Sequence, residues 1–162
     1  MWFTLRREDL GFVGRAPVAH VATAVIAAPR AAVYAALADA STWPEWFPNV
    51  RASSYASPPP FGVGTVRQAT VGGTRWVEEM LAWDVDQRIA WTVLRASVPL
   101  ARALVETYEV EDAPGGTQIR WTFALEPRLI ARLGAPFAGR TIARLLDRVA
   151  ANLGARLARP AA

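Results

Sequence analysis

The segment that most constrains the fold of this chain lies near its end, at residues 136–159. Apolar side chains recur there every three or four residues, and most of the arginines fall elsewhere on the helical wheel. This spacing predicts a long helix with one apolar face, which must pack against another part of the chain. Before it, Pro127 ends the strand-like region, and Leu129, Ile130 and Leu133 predict a short helical turn. The apolar positions of the long helix are Ile142, Leu145, Leu146, Val149, Leu153 and Leu157.

The chain that precedes this helix predicts the surface on which the helix packs. It consists mainly of strand-like segments rich in Trp, Val and Thr, separated by turn residues. Such a series predicts one antiparallel sheet, so the expected fold class is α+β. Two roles of the helix are open at this point: it either fills a core against the sheet or also covers a ligand cavity.

Composition excludes several classes of function. The 162 residues, of which 52% are apolar, suffice for a single domain with a real core. The chain has no cysteine and a single histidine, His20, which excludes a disulfide framework, a thiolate nucleophile and a Cys/His zinc site. We therefore expect no metal and no redox cofactor. No apolar run reaches membrane-spanning length and residues 1–15 lack a signal-peptide core, which predicts a cytoplasmic protein without membrane insertion.

The charge pattern bears on macromolecular partners. Every basic residue is an arginine, and the formal net charge is +4. The arginines are spread along the chain instead of clustering on one element with exposed aromatic residues. This pattern is typical of a solvated surface, so we expect no nucleic-acid partner. Both a monomer and a homodimer are compatible with such a surface.

The first third of the chain predicts one strand followed by two helices. Residues 1–17 form a lead-in segment with apolar side chains that can pack at the edge of the domain. Alternating positions over 20–26 predict a strand, and Pro29 opens a helix that Asp39 ends. Ser41 is a good N-cap for a second, short helix.

Hairpin turns in the middle of the chain predict which residues face each other. A two-residue turn at 72–73 places Arg67 opposite Glu78. A two-residue turn at 86–87 places Glu78 opposite Arg95 as well. Together with a third turn at 113–116, these hairpins predict the further pairs Ala69–Trp76, Met80–Val93, Ala82–Trp91, Val110–Ile119, Tyr108–Trp121 and Glu106–Phe123.

The residues that these registers place on the inner face of the sheet are the candidate ligand-binding residues. Most of them form an apolar, largely aromatic wall whose polar groups are a tyrosine hydroxyl and indole N–H groups. The alternative is that these aromatic residues only pack the core. A row of charged side chains crosses four strands on the same face, and charges in such a place need partners. The candidates are Arg67, Trp76, Glu78, Met80, Trp91, Arg95, Glu106, Tyr108, Trp121 and Phe123.

The charged row of Arg67, Glu78, Arg95 and Glu106 has a structural and a functional interpretation. In the structural one it is an ion-pair ladder at one rim of the sheet, satisfied within itself. In the functional one a guanidinium orients a ligand carbonyl, carboxylate or phenolate, or a carboxyl group with a raised pKa moves a proton. Neighbouring arginines lower the pKa of a carboxyl group, which favours the anchoring role over general-base catalysis.

Several short motifs, taken in order, resemble one known group of proteins. The motifs are Ile-Ala-Ala-Pro at 26–29, Val-Tyr-Ala-Ala-Leu-Ala-Asp at 33–39, Trp-Pro-Glu-Trp-Phe-Pro at 43–48, Gly-Val-Gly-Thr-Val-Arg at 62–67 and Gly-Gly-Thr-Gln-Ile-Arg-Trp at 115–121. Their order and spacing are similar to the polyketide cyclase/dehydrase group of the START-related SRPBCC superfamily. The resemblance implies a helix-grip fold, in which a curved antiparallel sheet of about six or seven strands wraps the C-terminal helix. It implies two short helices after the first strand, and a single domain over 18–159 behind the lead-in segment.

The resemblance also implies a range of functions. Members of this superfamily bind or transform lipids, sterols, polyketides, quinones and other hydrophobic molecules, and they share no catalytic residue, so catalytic residues stay unassigned. The lack of a catalytic dyad favours a carrier or sensor of a small hydrophobic ligand. The alternative is a cyclase, aromatase or dehydratase acting in the same cavity without metal or redox cofactor. A third is a partner-binding regulator with Trp43, Trp46 and Phe47 as an exposed patch, unless these residues close the cavity mouth.

Overall fold

An antiparallel sheet and a long C-terminal helix make up most of this computed structural model, which describes residues 1–129 and 138–159. The strands are β1 (Phe3–Thr4), β2 (Val18–Ile26), β3 (Val50–Tyr55), β4 (Val66–Val71), β5 (Thr74–Asp84), β6 (Arg88–Ala96), β7 (Ala101–Ala113) and β8 (Gly116–Pro127). Their order in the sheet is β2-β8-β7-β6-β5-β4-β3, and the short β1 pairs with β6. The α-helices are α1 (Arg30–Ala38), α2 (Trp43–Trp46) and α3 (Ala138–Leu157). The predicted α+β architecture is confirmed.

Helix α3 covers one face of the sheet, as its apolar spacing predicts. Leu146, Val149 and Leu153 are fully buried, and the helix packs mainly on β2. Two polar contacts fix its other side to α2: the Asn152 amide donates to the Trp46 carbonyl, and Arg156 pairs with Glu45 at 2.7 Å. The predicted helical turn at Ile130 and Leu133 and the predicted helix start at Pro136 lie outside the described residues. No helix in the described ranges is long and apolar enough to cross a membrane.

The registers of two hairpins agree with their predictions. Across β4 and β5, Arg67 pairs with Glu78 and Ala69 with Trp76. Across β7 and β8 the observed pairs are Val110–Ile119, Tyr108–Trp121 and Glu106–Phe123, as predicted. Gly116 closes the second of these hairpins at a φ of 146°, and a Cβ there would lie 2.1 Å from the Ile26 carbonyl oxygen. The turn therefore requires glycine at this position.

The hairpin of β5 and β6 has a register different from the predicted one. Its turn contains three residues, 85–87, and Asp86 adopts a left-handed conformation with a φ of 58°. Two β-bulges follow, at which Leu81 in β5 and Leu94 in β6 are extra residues with no direct partner in this pair. Each extra residue shifts the pairing by one position and reverses the alternation of faces in its strand.

The prediction that Glu78 faces Arg95 is therefore wrong. Glu78 pairs with Val93, and Arg95 pairs with Val77. The Arg95 side chain is exposed and its guanidinium carbon lies 5.5 Å from the ring centroid of Trp2. The other predicted pairs of this hairpin are also wrong, and the observed ones are Met80–Trp91 and Ala82–Ala90.

The segment between β2 and β3 buries aromatic residues that the sequence also allowed to be exposed. The prediction that Ser41 is the N-cap of α2 is wrong, because the N-cap is Thr42, which makes no side-chain capping hydrogen bond. Asp39 instead caps the 3₁₀ turn of residues 40–42 before α2, where its carboxylate accepts hydrogen bonds from the Ser41 N–H and hydroxyl at 3.0 and 2.6 Å. Trp43, Trp46 and Phe47 are only 4%, 1% and 6% exposed. They cannot form an exposed patch, so that interpretation of them is wrong.

Candidate functional site

A cavity of about 230 Å³ lies between the inner face of the sheet and the helices α2 and α3. Strands β3 to β8 form one wall, and Trp43, Phe47, Ile142 and Leu145 form the opposite wall. The walls are mainly apolar, with aromatic rings on both sides. Cavities for drug-sized ligands usually measure about 300–1,000 Å³, so this cavity suits a smaller molecule.

The structure places most of the predicted candidate residues on this cavity. Met80 does not line it, because its side chain is fully buried in the adjacent core. Arg95 does not line it, because the bulge at Leu94 leaves it on the exposed surface beside Trp2. A role of the lining residues in ligand binding stays a prediction. The candidates that do line the cavity are Arg67, Trp76, Glu78, Trp91, Glu106, Tyr108, Trp121 and Phe123.

The structure adds lining residues that were not among the candidates, many of them from α2 and β3. Trp43 and Phe47, which the sequence offered as residues that close the cavity mouth, form part of its wall. Ser53 pairs with Ala69 of β4, and both line the cavity. No turn signal fixes the register of β3, since a long proline-rich loop separates it from β4. The lining residues outside the candidate set are Trp43, Phe47, Val50, Ser53, Ala69, Val71, Ile142 and Leu145.

Arg67 occupies the centre of the charged side of the cavity. Its guanidinium carbon lies 4.5 Å from the ring centroid of Trp43 and 4.0 Å from that of Trp91, so the cation is held between two indole rings. Its Nε donates to Glu78 Oε2 at 2.6 Å, and both side chains are at most 5% exposed. Arg67 Nη1 is buried without a hydrogen-bond partner in the described part of the chain. The cation is thus neutralised, but one of its donor groups is unused.

Three aromatic rings on adjacent strands form the floor of the cavity. Trp91 and Tyr108 stack with centroids 5.2 Å apart, and Tyr108 and Trp121 stack with centroids 5.5 Å apart. Trp43 meets Trp91 and Tyr108 edge-on, which fixes the rings from the helix side. Because neighbouring same-face residues in a sheet come this close, the stack follows directly from the strand registers. The three rings are at most 3% exposed, so the floor is a closely packed apolar layer.

Glu106 differs from the other acidic group because all its hydrogen-bond donors are neutral. Its Oε2 accepts from the Trp121 indole N–H at 2.9 Å and from the Tyr108 hydroxyl at 3.4 Å. The residue is partly accessible, but it lines the cavity and is enclosed by the surrounding protein. Burial, and secondarily the negative charge of Glu78, raise the pKa of Glu106 to about 8. Glu106 is therefore mainly a neutral carboxylic acid at pH 7.

The observed set of charges corrects one prediction from the sequence. With Arg95 on the surface, the described residues that line the cavity include one arginine and two glutamates instead of two of each. The expectation that neighbouring arginines lower the carboxyl pKa values is wrong for Glu106, because burial outweighs the attraction of Arg67. Burial also raises the pKa of Tyr108 well above its ordinary value, so this hydroxyl is a neutral donor.

Other concave and acidic regions are less suited to a ligand. An open groove of about 540 Å³ lies on the outer face of the sheet, between Asp84, Arg88, Glu109 and Arg120. Its charged side chains pair with one another in exposed positions, for example Arg88 with Asp84 at 2.6 Å. Within residues 1–129 and 138–159, no three His, Asp or Glu side chains are arranged to hold a metal ion.

Comparison with known proteins relates this architecture to one family. The family described as polyketide cyclase/dehydrase and lipid transport matches residues 18–158. An uncharacterised protein of Mycobacterium tuberculosis is 32% identical over 123 residues, which is 75% of this chain and 74% of that protein.

Solved structures share the fold at low sequence identity. A START superfamily protein from Mycobacterium smegmatis superposes with a TM-score of 0.69 at 13% identity, covering 86% of this chain and 97% of that one. The Zhui aromatase/cyclase from Streptomyces sp. R1128 superposes with a TM-score of 0.68 at 18% identity, covering 86% and 94%.

Proposed function

The chain belongs to the polyketide cyclase/dehydrase and lipid transport family, and on this premise we propose that it binds a small hydrophobic molecule in its interior cavity, as a carrier or sensor. One observation carries this proposal: an aromatic cavity is lined by residues whose buried polar atoms have no hydrogen-bond partner among the described residues. These atoms are Arg67 Nη1, Trp91 Nε1 and Ser53 Oγ. A buried polar group without a partner costs about 1–3 kcal/mol, which a ligand with matching atoms would recover.

The related proteins support a ligand of this kind. The family description combines polyketide cyclisation or dehydration with lipid transport, and Zhui is named an aromatase/cyclase. Both activities need an enclosed apolar site that admits a hydrophobic molecule of limited size.

Titration with N-phenyl-1-naphthylamine, a neutral fluorophore, tests the proposal. We expect saturable binding with one molecule per folded chain, because the cavity is preformed. The variant Ala69→Phe places a ring in the cavity and should weaken binding at least about tenfold. Gln68→Phe puts the same ring on the next residue, which is exposed, and should leave binding unchanged. A non-saturable signal, or equal binding by both folded variants, would show that the cavity does not take the probe.

The protonation state of Glu106 favours a second function, that of a cyclase, aromatase or dehydratase. A carboxyl group that is neutral at pH 7 in an apolar site can donate a hydrogen bond or a proton to a ligand oxygen. The neutral Tyr108 hydroxyl and Trp121 indole hold the carboxyl group in place from the floor of the cavity. In this function Glu106 donates its proton to a departing hydroxyl group, which leaves as water, and the resulting carboxylate takes up the proton from the α-carbon as the C=C bond forms.

A simple β-hydroxy ketone, 4-hydroxy-4-phenylbutan-2-one, distinguishes the two functions. Loss of water gives a conjugated enone, whose formation is followed by its ultraviolet absorbance. An enzyme that uses Glu106 as its acid should form the enone faster than buffer, lose this rate as the pH rises through about 8, and be inactive as Glu106→Gln. Binding of the ketone without any rate above that of buffer would favour the carrier or sensor.

A further inference from the structure

The charged groups around the cavity restrict the charge of its ligand. The only cation among the described lining residues is Arg67, and the anions are Glu78 and, when it is ionised, Glu106. Tyr108 is the remaining titratable group, and burial keeps it neutral. The two helices that pack over these groups contribute apolar side chains alone among the described residues, namely Trp43, Phe47, Ile142 and Leu145.

Arg67 carries a charge that is already balanced. Its ion pair with Glu78 is 2.6 Å long and is almost completely shielded from solvent. The guanidinium therefore offers a hydrogen-bond donor to a ligand, through Nη1, but no net positive charge. Trp91, whose ring lies against this guanidinium, offers a second buried donor at Nε1, which has no partner within residues 1–129 and 138–159. Both groups can donate a hydrogen bond to a neutral acceptor atom, and neither requires an anion.

A charged ligand would leave the cavity with an unbalanced charge. With Glu106 neutral, the charges of Arg67 and Glu78 sum to zero, so a neutral ligand keeps the net charge of the described lining residues at zero. A ligand carboxylate would bring it to −1 with Glu106 protonated, and to −2 with Glu106 ionised. An uncompensated charge in an apolar interior is strongly unfavourable.

We propose that the cavity selects a neutral ligand with hydrogen-bond-accepting oxygens on an apolar body, and that it rejects carboxylates and phosphates of the same shape. This proposal rests on the function proposed above, and it specifies the charge of the ligand. The oxygens accept hydrogen bonds from Arg67 Nη1 and Trp91 Nε1, and the apolar body lies against the half-buried lining residues Trp76, Phe123 and Leu145. Glu106, which the raised pKa keeps protonated, supplies one further donor.

Two probes of nearly equal shape test this selection in the wild-type protein. 2-Acetylnaphthalene and 2-naphthoate share a bicyclic body and a carbonyl oxygen. The ketone carries a methyl group where the carboxylate carries a negatively charged oxygen. Isothermal titration at pH 6.5 should give a dissociation constant for the ketone at least about 30-fold below that for the carboxylate. Equal or tighter binding of the naphthoate would overturn the proposal while supporting the cavity as a binding site. Failure of both probes to bind would overturn the proposed function as well.

The variant Glu78→Gln should reverse the preference for the neutral probe over the anionic one. The amide preserves the shape of the side chain and can still accept a hydrogen bond from Arg67 Nε, but it no longer balances the guanidinium. The variant should therefore bind 2-naphthoate more tightly than 2-acetylnaphthalene at pH 6.5, reversing the wild-type order. An unchanged order in a variant with a native circular dichroism spectrum would contradict the charge argument.

The variant Glu106→Gln tests the selection of a neutral ligand without disturbing the ion pair of Arg67 and Glu78. Raising the pH from 6.5 to 9.5 ionises Glu106 in the wild type, which removes a donor and adds a buried negative charge. Binding of 2-acetylnaphthalene should therefore weaken about tenfold in the wild type, and by less than about twofold in Glu106→Gln. The same pH dependence in both proteins would overturn the role of Glu106.

Discussion

The two glutamates of the cavity stand on neighbouring parts of one sheet, yet their charges are balanced in different ways. Glu78 on β5 faces Arg67 on β4, and the two form a buried ion pair. Glu106 on β7 faces Trp91 on β6 and Phe123 on β8, so its strand partners bring no cation. The first acid is a fixed anion within a neutral pair, and the second is a neutral acid at pH 7. The identity of the cross-strand neighbour thus decides the chemistry of each carboxyl group.

Removing Glu78 should give the largest effect, because it leaves the Arg67 cation buried and unpaired. We expect Glu78→Leu to lower the free energy of unfolding by about 3–5 kcal/mol in urea denaturation at pH 7. Glu79→Leu is the matched control, since the neighbouring Glu79 pairs with the exposed Arg7 and should lose only a small fraction of that amount. Similar small losses in both variants would show that the ion pair does not need its carboxylate.

Removing the cation should cost less than removing the anion. Arg67→Met leaves Glu78 buried without its partner, but it also removes Nη1, a buried donor that has no hydrogen-bond partner in the described part of the chain. We expect a loss of about 1–3 kcal/mol in urea denaturation at pH 7. A loss equal to or greater than that of Glu78→Leu would contradict this account of the pair.

Glu106 should make the free energy of unfolding depend on pH. Its pKa in the folded protein, about 8, lies above its ordinary value of 4.5, so the stability it contributes is complete below about pH 4.5 and is lost as the pH rises toward 8. Between pH 6 and 7 the wild type should lose about 1.4 kcal/mol relative to Glu106→Gln. Glu109→Gln, at an exposed position of the same strand, should leave the wild-type slope unchanged. A slope that Glu106→Gln does not alter would place the ionisation of Glu106 outside this pH range.

The difference between Glu78 and Glu106 could be predicted from the sequence only in part. The position of Glu78 opposite Arg67 and that of Glu106 opposite Phe123 followed from two hairpins with clear glycine turns. Arg95 was misplaced because the β5–β6 hairpin has a three-residue turn and two bulges, and nothing in the spacing of its residues marks the extra Leu81 and Leu94. A shift of one residue changes the face of every side chain beyond it, so this single error changed the expected charge of the cavity.

The helix side of the site was harder to predict than the sheet side. The apolar spacing of α3 located its buried face, including Leu146 and Leu153. It could not show that Ile142 and Leu145 stand over a cavity, because a helix that fills a core has the same spacing as one that covers a ligand. Trp43 was assigned to a short helix, but its contact with Arg67 joins residues far apart in the chain, and no periodicity reports such a contact.

The most direct test of the central claim, that Glu106 is a neutral acid beside a balanced ion pair, is a titration of the side-chain carboxyl carbons by carbon-13 NMR. Protein labelled at glutamate should show one resonance that titrates with a pKa near 8 and is absent from Glu106→Gln. A Glu106 resonance that titrates near the ordinary value of 4.5 would contradict the account.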